Sequence, residues 1–140
     1  MFVFDTDHLS LLQRTDAVHD KFDARLSEYS EVDFWVSVVS FHEQVLGSHT
    51  YLARAKTPDQ LVIGYSRFER LLLAFADYQL LSFDEAAAEV FADLQSRNTR
   101  VGTMDLRIAA ITIANNMTLL TRNTIDFEKI SGLPFEDWIS

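Results

Sequence analysis

Short apolar runs of β-prone residues alternate along this chain with longer stretches of helical periodicity, and most runs stop at or near an acid. Such alternation allows few folds: the strands are buried on both faces, pair mostly in parallel, and are joined by helical crossovers. Phe2-Val3-Phe4 ends at Asp5, and a short helix is expected from about Leu9 to Gln13. Helical spacing follows from Asp16 to Tyr29 through Val18, Phe22 and Leu26, and Asp33 to Val39 reads as a second strand rich in β-branched and aromatic residues. Ser40 looks like a helix N-cap with Glu43 three residues on, opening a helix to about Ala55. Thr57-Pro58 starts the next helix, to about Asp77, with proline at its first position.

Tyr78 to Phe83 is the third expected strand, and Asp84 caps a helix from Glu85 to Arg97. Gly102-Thr103 breaks the chain before a helix over Met104 to Asn115. Met117 to Leu120 and Phe135 to Ile139 supply a fourth and a fifth strand. With 2 prolines, 4 glycines, no repeat and no linker, residues 1–140 read as one domain, a size that buries an ordinary core unaided.

Composition narrows the function. No cysteine is present, so disulfide and thiolate chemistry are excluded. Asp5 and Asp7 interrupt the apolar start and argue against a signal peptide. The greasiest stretch, Leu61 to Ala76, contains Arg67, Glu69 and Arg70 and does not read as a membrane span, so a cytoplasmic protein is expected. A net charge of −9 opposes a general electrostatic grip on nucleic acid. It suits an acidic site whose field is inverted by metal ions, or a basic protein partner.

Four acids stand where strand-like runs end or helices begin: Asp5, Glu43, Asp105 and Asp126. Ligands of open α/β sheets bind beyond the carboxyl ends of the strands, where strand order reverses. Carboxylates gathered there repel one another unless a divalent cation neutralises them. Each acid also has a plainer reading. Ser40-x-x-Glu43 is a capping box, like Ser82-x-x-Glu85; Asp105 complements a helix dipole; Asp126 is a turn residue. Asp5 resists such a reading, because a carboxylate closing a buried strand has nothing to cap unless a helix starts there.

The histidines offer less. His42 and His49 are seven apart, not the spacing of a zinc helix, and His8 and His19 read as surface or turn residues. Arg97, Arg100, Arg107 and Arg122 flank the last two acidic segments and together could grip phosphate. Tyr65, Phe68, Leu72 and Phe75 form a stripe that reads first as core and second as a dimer or partner face.

Taken together these segments resemble the PIN-domain nucleases, and in particular the VapC-type toxins of toxin–antitoxin pairs. Phe4-Asp5-Thr6-Asp7-His8-Leu9-Ser10 is similar to the opening motif of that family, Val39-Ser40-x-x-Glu43 to its second, and Gly102-x-x-Asp105-x-x-Ile108-Ala109-Ala110 to its third. Leu120-Thr121-Arg122-Asn123-x-x-Asp126-Phe127 and Gly132-Leu133-Pro134-Phe135-Glu136-Asp137-Trp138 resemble its closing segment. Position 7 is Asp where Asn is frequent, and Asn123 stands where many PIN domains place Asp.

The resemblance implies a three-layer α/β sandwich with about five parallel strands, a homodimer, and Mg²⁺- or Mn²⁺-dependent cleavage of RNA. It also implies a small antitoxin that occludes the acidic site. On that reading Asp5, Asp105 and Asp126 hold the metal, while Glu43, Asn123, Thr6 and Thr121 orient or support them. Arg107, Arg122 and Arg100 would contact RNA phosphates. Two rivals remain at this point. One is a PIN-like module that binds a partner without catalysis. The other is a phosphatase of the haloacid-dehalogenase type using Asp5-Thr6-Asp7, although Leu9 stands where that motif has Thr or Val.

Overall fold

Alternate residues of the first strand face different cores, and that alternation organises the molecule. In the computed structural model, which describes residues 1–14 and 19–140, Val3 packs into one apolar cluster while Phe2 and Phe4 pack into another on the opposite face. Leu119 and Leu120 divide in the same way. The sheet is thus buried on both faces, as a parallel sheet must be.

Among the described residues, β1 (Phe2–Phe4) is followed by α1 (Thr6–Gln13), α2 (Asp20–Ser27), β2 (Phe34–Ser37), α3 (Val38–Arg54) and α4 (Pro58–Asp77). Then come β3 (Leu80–Leu81), α5 (Glu85–Ser96), α6 (Thr103–Ala114), β4 (Thr118–Leu120), α7 (Thr124–Phe127) and β5 (Phe135–Glu136). All pairings are parallel and the strand order is β3-β2-β1-β4-β5. The chain builds outward from β1 through β2 to β3, then returns to place β4 on the other side of β1. The order reverses between β1 and β4.

One layer holds α3, α5 and α6. The last is buried nearly all round, through Leu106, Ile108, Ala109, Ala110, Ile111 and Thr112. The other layer is aromatic: Phe2, Phe4, Phe22, Phe34 and Trp138 interlock with ring centroids 4.8 to 6.4 Å apart.

Apart from the short helix α7, element types match the sequence expectations, but several boundaries move for identifiable reasons. The second strand stops at Ser37 because the Ser37 hydroxyl accepts the Ser40 N–H at 3.1 Å, so Ser37 and not Ser40 is the N-cap of α3. Val38 and Val39 are drawn into the helix against their β preference. Helix α1 starts at Thr6 rather than Leu9, with Asp5 as N-cap. The third strand contracts to Leu80–Leu81 at the sheet edge. The fifth contracts to Phe135–Glu136, because the Trp138 N–H turns away to His8. Asp16 and Val18, expected in the second helix, lie outside the described residues.

The expected stripe on α4 divides. Phe68 is half-buried and Phe75 packs on Phe41 and Tyr78, whereas Tyr65 and Leu72 are 62% and 60% exposed. No helix among the described residues is long and apolar enough to cross a membrane.

Candidate active site

At the reversal point, β1 and β4 each hand over to a polar residue, Asp5 and Thr121. The Asp5 N–H donates to Leu120 O at 2.9 Å and the Thr121 N–H to Glu136 O at 3.0 Å, so ladder-type backbone bonds fix both positions. The Thr121 hydroxyl donates to Asp5 Oδ2 at 2.7 Å, and the Thr6 N–H donates to Asp5 Oδ1 at 2.8 Å. Asp5, only 6% exposed, therefore has both oxygens engaged.

The network continues in two directions. Thr6 Oγ1 donates to Glu43 Oε1 at 3.1 Å, which ties α1 to α3. Thr121 Oγ1 accepts the Asn123 N–H at 3.0 Å. The Asn123 amide then spends both protons on carboxylates, one on Asp105 Oδ2 at 3.2 Å and one on Asp126 Oδ2 at 3.1 Å. The four acids singled out in the sequence are thus linked in one chain: Glu43, Thr6, Asp5, Thr121, Asn123, then Asp105 and Asp126. Because Ser37 caps α3, Glu43 closes no capping box with Ser40, and the plainer reading of that acid does not hold. Asp5 does cap a helix, yet it is also the most strongly perturbed acid.

Electrostatics follow from burial and crowding. Burial, then the charge of Asp7, push Asp5 from an ordinary 3.8 to about 7; the Thr121 and Thr6 hydrogen bonds oppose this and Asp105 adds to it. Glu43 is raised chiefly by burial, opposed by its bond from Thr6, with Asp105 and Asp7 adding to the rise. Asp105 is raised by burial, then by Asp126, with Asp7 also contributing. Asp126 is held low by hydrogen bonds from Asn123 and from Lys129, whose Nζ lies at 3.1 Å. Three acids are thus held short of compensating positive charge.

Asp7 and His8 are the residues that sequence reasoning underrated. Asp7 raises Asp5, Glu43 and Asp105 alike. Its own oxygens are taken by the Arg122 N–H at 3.0 Å and by His8 Nδ1 at 2.8 Å. His8 is fully buried, not a surface or turn residue. Its Nε2 accepts the Trp138 N–H at 3.1 Å, so its proton sits on Nδ1 and points at Asp7. The sequence signal was faint: a histidine between Asp7 and Leu9 in the first amphipathic turn of a helix.

The arginines are not drawn into this network. The Arg107 guanidinium bonds Met104 Sδ at 3.4 Å, and two residues of helix carry it roughly 200° round from Asp105. Arg100 and Arg122 are exposed, and among the described residues neither guanidinium is paired with any of the four acids. His42 and His49 are exposed on α3.

A divalent cation fits this donor set. All the donors are hard oxygens, as Mg²⁺ and Mn²⁺ prefer, and the surplus negative charge has Lys129 as its one ion-paired cation among the described residues. No three acid or histidine side chains among those residues form a ready-made ligand cluster. Mg²⁺ takes only one or two direct carboxylates and fills its shell with water, so none is required.

A parallel sheet with an acidic cluster at its switch point defines a class, and comparison with known proteins gives the family. The PIN domain family matches residues 2–133, and the chain belongs to it. It is a family of nucleases. The chain is 24% identical over 143 aligned residues to the tRNA(fMet)-specific endonuclease VapC of Salmonella typhimurium, covering 98% of this chain and 97% of that protein. It is 30% identical to the plasmid stability protein StbB of Pseudomonas syringae pv. tomato, over 91% of each. The solved VapBC-1 structure from nontypeable Haemophilus influenzae superposes with a TM-score of 0.74 at 19% identity, over 99% of this chain and 98% of that one. PIN membership leaves the phosphatase alternative without support.

Proposed function

We propose that this protein is a divalent-metal-dependent endoribonuclease and the toxin of a toxin–antitoxin pair. The observation that carries this reading is the unbroken hydrogen-bonded chain from Glu43 through Asp5 to Asp105 and Asp126 at the sheet's reversal point. Full-length similarity to a tRNA-specific endonuclease supports RNA as substrate, and the motif resemblance to VapC-type toxins supports the toxin role.

On this reading Asp5, Asp105 and Asp126 would hold Mg²⁺ or Mn²⁺, in part through the ion's own waters. When bound, the ion acidifies water and offsets charge on the phosphodiester. The chain's own groups orient the acids and accept a proton. Thr121 and Thr6 keep both Asp5 oxygens directed, and Thr6 holds Glu43 where it can accept a proton from water. Asn123 holds Asp105 and Asp126 in register. Arg107, Arg122 and Arg100 are candidates for phosphate contact once RNA is seated.

A basic antitoxin that closes the acidic site suits the net charge of −9. The exposed α4 residues Leu61, Val62, Tyr65, Leu72 and Leu73 supply apolar surface for a homodimer or for that antitoxin. A cytoplasmic location accords with an RNA substrate. The test is direct: purified protein cuts RNA with Mg²⁺ or Mn²⁺ and stops in chelator. A metal-loaded protein that never cuts RNA would instead favour the non-catalytic binding module.

A further inference from the structure

Away from the acids, α1, α3 and α4 enclose a cleft of about 580 Å³, a volume typical of small-ligand sites. Its polar and aromatic walls include Gln13, Gln44, Tyr51, Arg67, Arg70 and Tyr78. We infer that this cleft is a subsite for single-stranded RNA, taking a nucleotide that flanks the bond to be cut, with Arg67 and Arg70 on phosphate and Tyr51 beneath the base or the Arg67 plane. The inference rests on the nuclease reading above and names where its substrate runs.

Four observations carry it. First, the cleft shares helix α3 with the acidic site. Gln44 follows Glu43 directly, and Gly47 and Tyr51 lie four and eight residues on, about 40° and 80° round α3 and about 6 and 12 Å along it. The Gln13 and Gln44 amides bond each other at 2.9 and 3.3 Å where α1 meets α3.

Second, the cleft's cations are available. Arg67 and Arg70 are exposed, and neither enters an ion pair among the described residues. By contrast, Arg25, Arg97 and Lys129 are all paired with acids.

Third, the Arg67 guanidinium lies over the Tyr51 ring at 4.8 Å. A stacked, planar cation beside an aromatic ring offers what an unpaired nucleotide uses, a flat face and a phosphate donor.

Fourth, the charge distribution favours this path. From Val38 to Asp77 four cations (Arg54, Lys56, Arg67, Arg70) meet four acids (Glu43, Asp59, Glu69, Asp77), so the hairpin of α3 and α4 is neutral. The rest of the chain carries the entire net charge of −9. A polyanion approaching the acidic centre meets least repulsion along this hairpin.

The test uses the full-length protein and a short fluorescent single-stranded RNA. Binding is measured in chelator, and cleavage is measured separately with Mn²⁺. Arg67→Gln/Arg70→Gln should weaken binding at least about tenfold and flatten the dependence of log K on log salt by about 1.4, near 0.7 for each phosphate no longer neutralised. In cleavage its KM should rise by a similar factor while kcat stays within about twofold, with Lys21→Gln/Arg25→Gln on α2 serving as the charge-matched control. A double variant that binds and cuts RNA like Lys21→Gln/Arg25→Gln overturns the inference and leaves the nuclease reading intact. Unchanged RNA binding with loss of antitoxin binding also overturns it, and assigns the cleft to the partner. A wild type that binds RNA through these arginines but never cuts it sinks the nuclease reading and keeps the cleft.

Discussion

The Thr121 hydroxyl donates to Asp5 Oδ2 at 2.7 Å, joining residues 116 positions apart in the chain. The bond is buried, and it holds the carboxylate in one orientation at the end of β1. The same hydroxyl accepts from the Asn123 N–H, so a single side chain couples the first acidic motif to the last.

Replacing Thr121 with valine keeps the volume and removes the donor. Metal affinity or kcat should fall by about 10- to 100-fold, the usual consequence of losing a group that orients a ligand. Unfolding should cost about 1 kcal/mol less. Metal titration and chemical denaturation of the same preparation measure both.

Asp5→Asn and Asp105→Asn should each lower RNA cleavage by more than about 100-fold, beyond the effect of an orienting group, with the circular dichroism spectrum unchanged. Wild-type rates in either variant would remove the proposed mechanism.

The raised Asp5 makes the metal-free protein pH-sensitive in a definite direction. Its folded-state value near 7 lies above the ordinary 3.8, so the folded state holds the proton more tightly. The associated stability is fully present below about pH 4 and is lost as pH rises through 7. Converted at 1.36 kcal/mol per pH unit, the loss is at most about 4 kcal/mol. In chelator, Tm should be lower at pH 8 than at pH 6, and Asp5→Asn should flatten that slope. Added Mn²⁺ should raise Tm more at pH 8 than at pH 6, because at the lower pH a proton competes for the same oxygens. Equal Tm gains at both values would contradict a shared site.

Asn123→Asp removes both amide protons and adds a negative charge between Asp105 and Asp126. The variant should be less stable than wild type in chelator at pH 8, and Mn²⁺ should restore more of its Tm than it adds to the wild type. Calorimetric scans with and without metal decide the point.

His8→Ala leaves the Trp138 N–H without an acceptor in a buried setting and opens a cavity beside Phe22, whose ring centroid lies 5.6 Å from that of His8. A loss of about 2 to 4 kcal/mol is expected from the unmet donor and the missing volume together. His8→Phe fills the space but not the bond, and should recover only part of that loss in urea denaturation.

Much of the architecture was legible because local rules and global fold agree. Apolar Phe2-Val3-Phe4 and Thr57-Pro58 announce a buried strand and a helix start without reference to anything distant. Boundaries slipped where a side chain chose between two backbone partners, as at Ser37 and Ser40. The four-residue helix α7, which carries Asp126, was not anticipated, because so short a segment has no periodicity to detect. All four acids that the hydrogen-bond chain links stand out in the sequence, since each terminates or opens an element. The arginines beside them were grouped by proximity in sequence, which does not measure direction around a helix.

By itself the order of residues determined the alternation of strand and helix, the two-sided burial of the sheet and the position of four acids at element ends, since these depend on side-chain periodicity and capping within a few residues. Only the tertiary structure decided which groups meet: β4 lands beside β1, and that placement brings Thr121 to Asp5, Arg122 to Asp7, and Trp138 to His8. Contacts between distant segments depend on strand order, and no local pattern encodes a neighbour more than a hundred residues away.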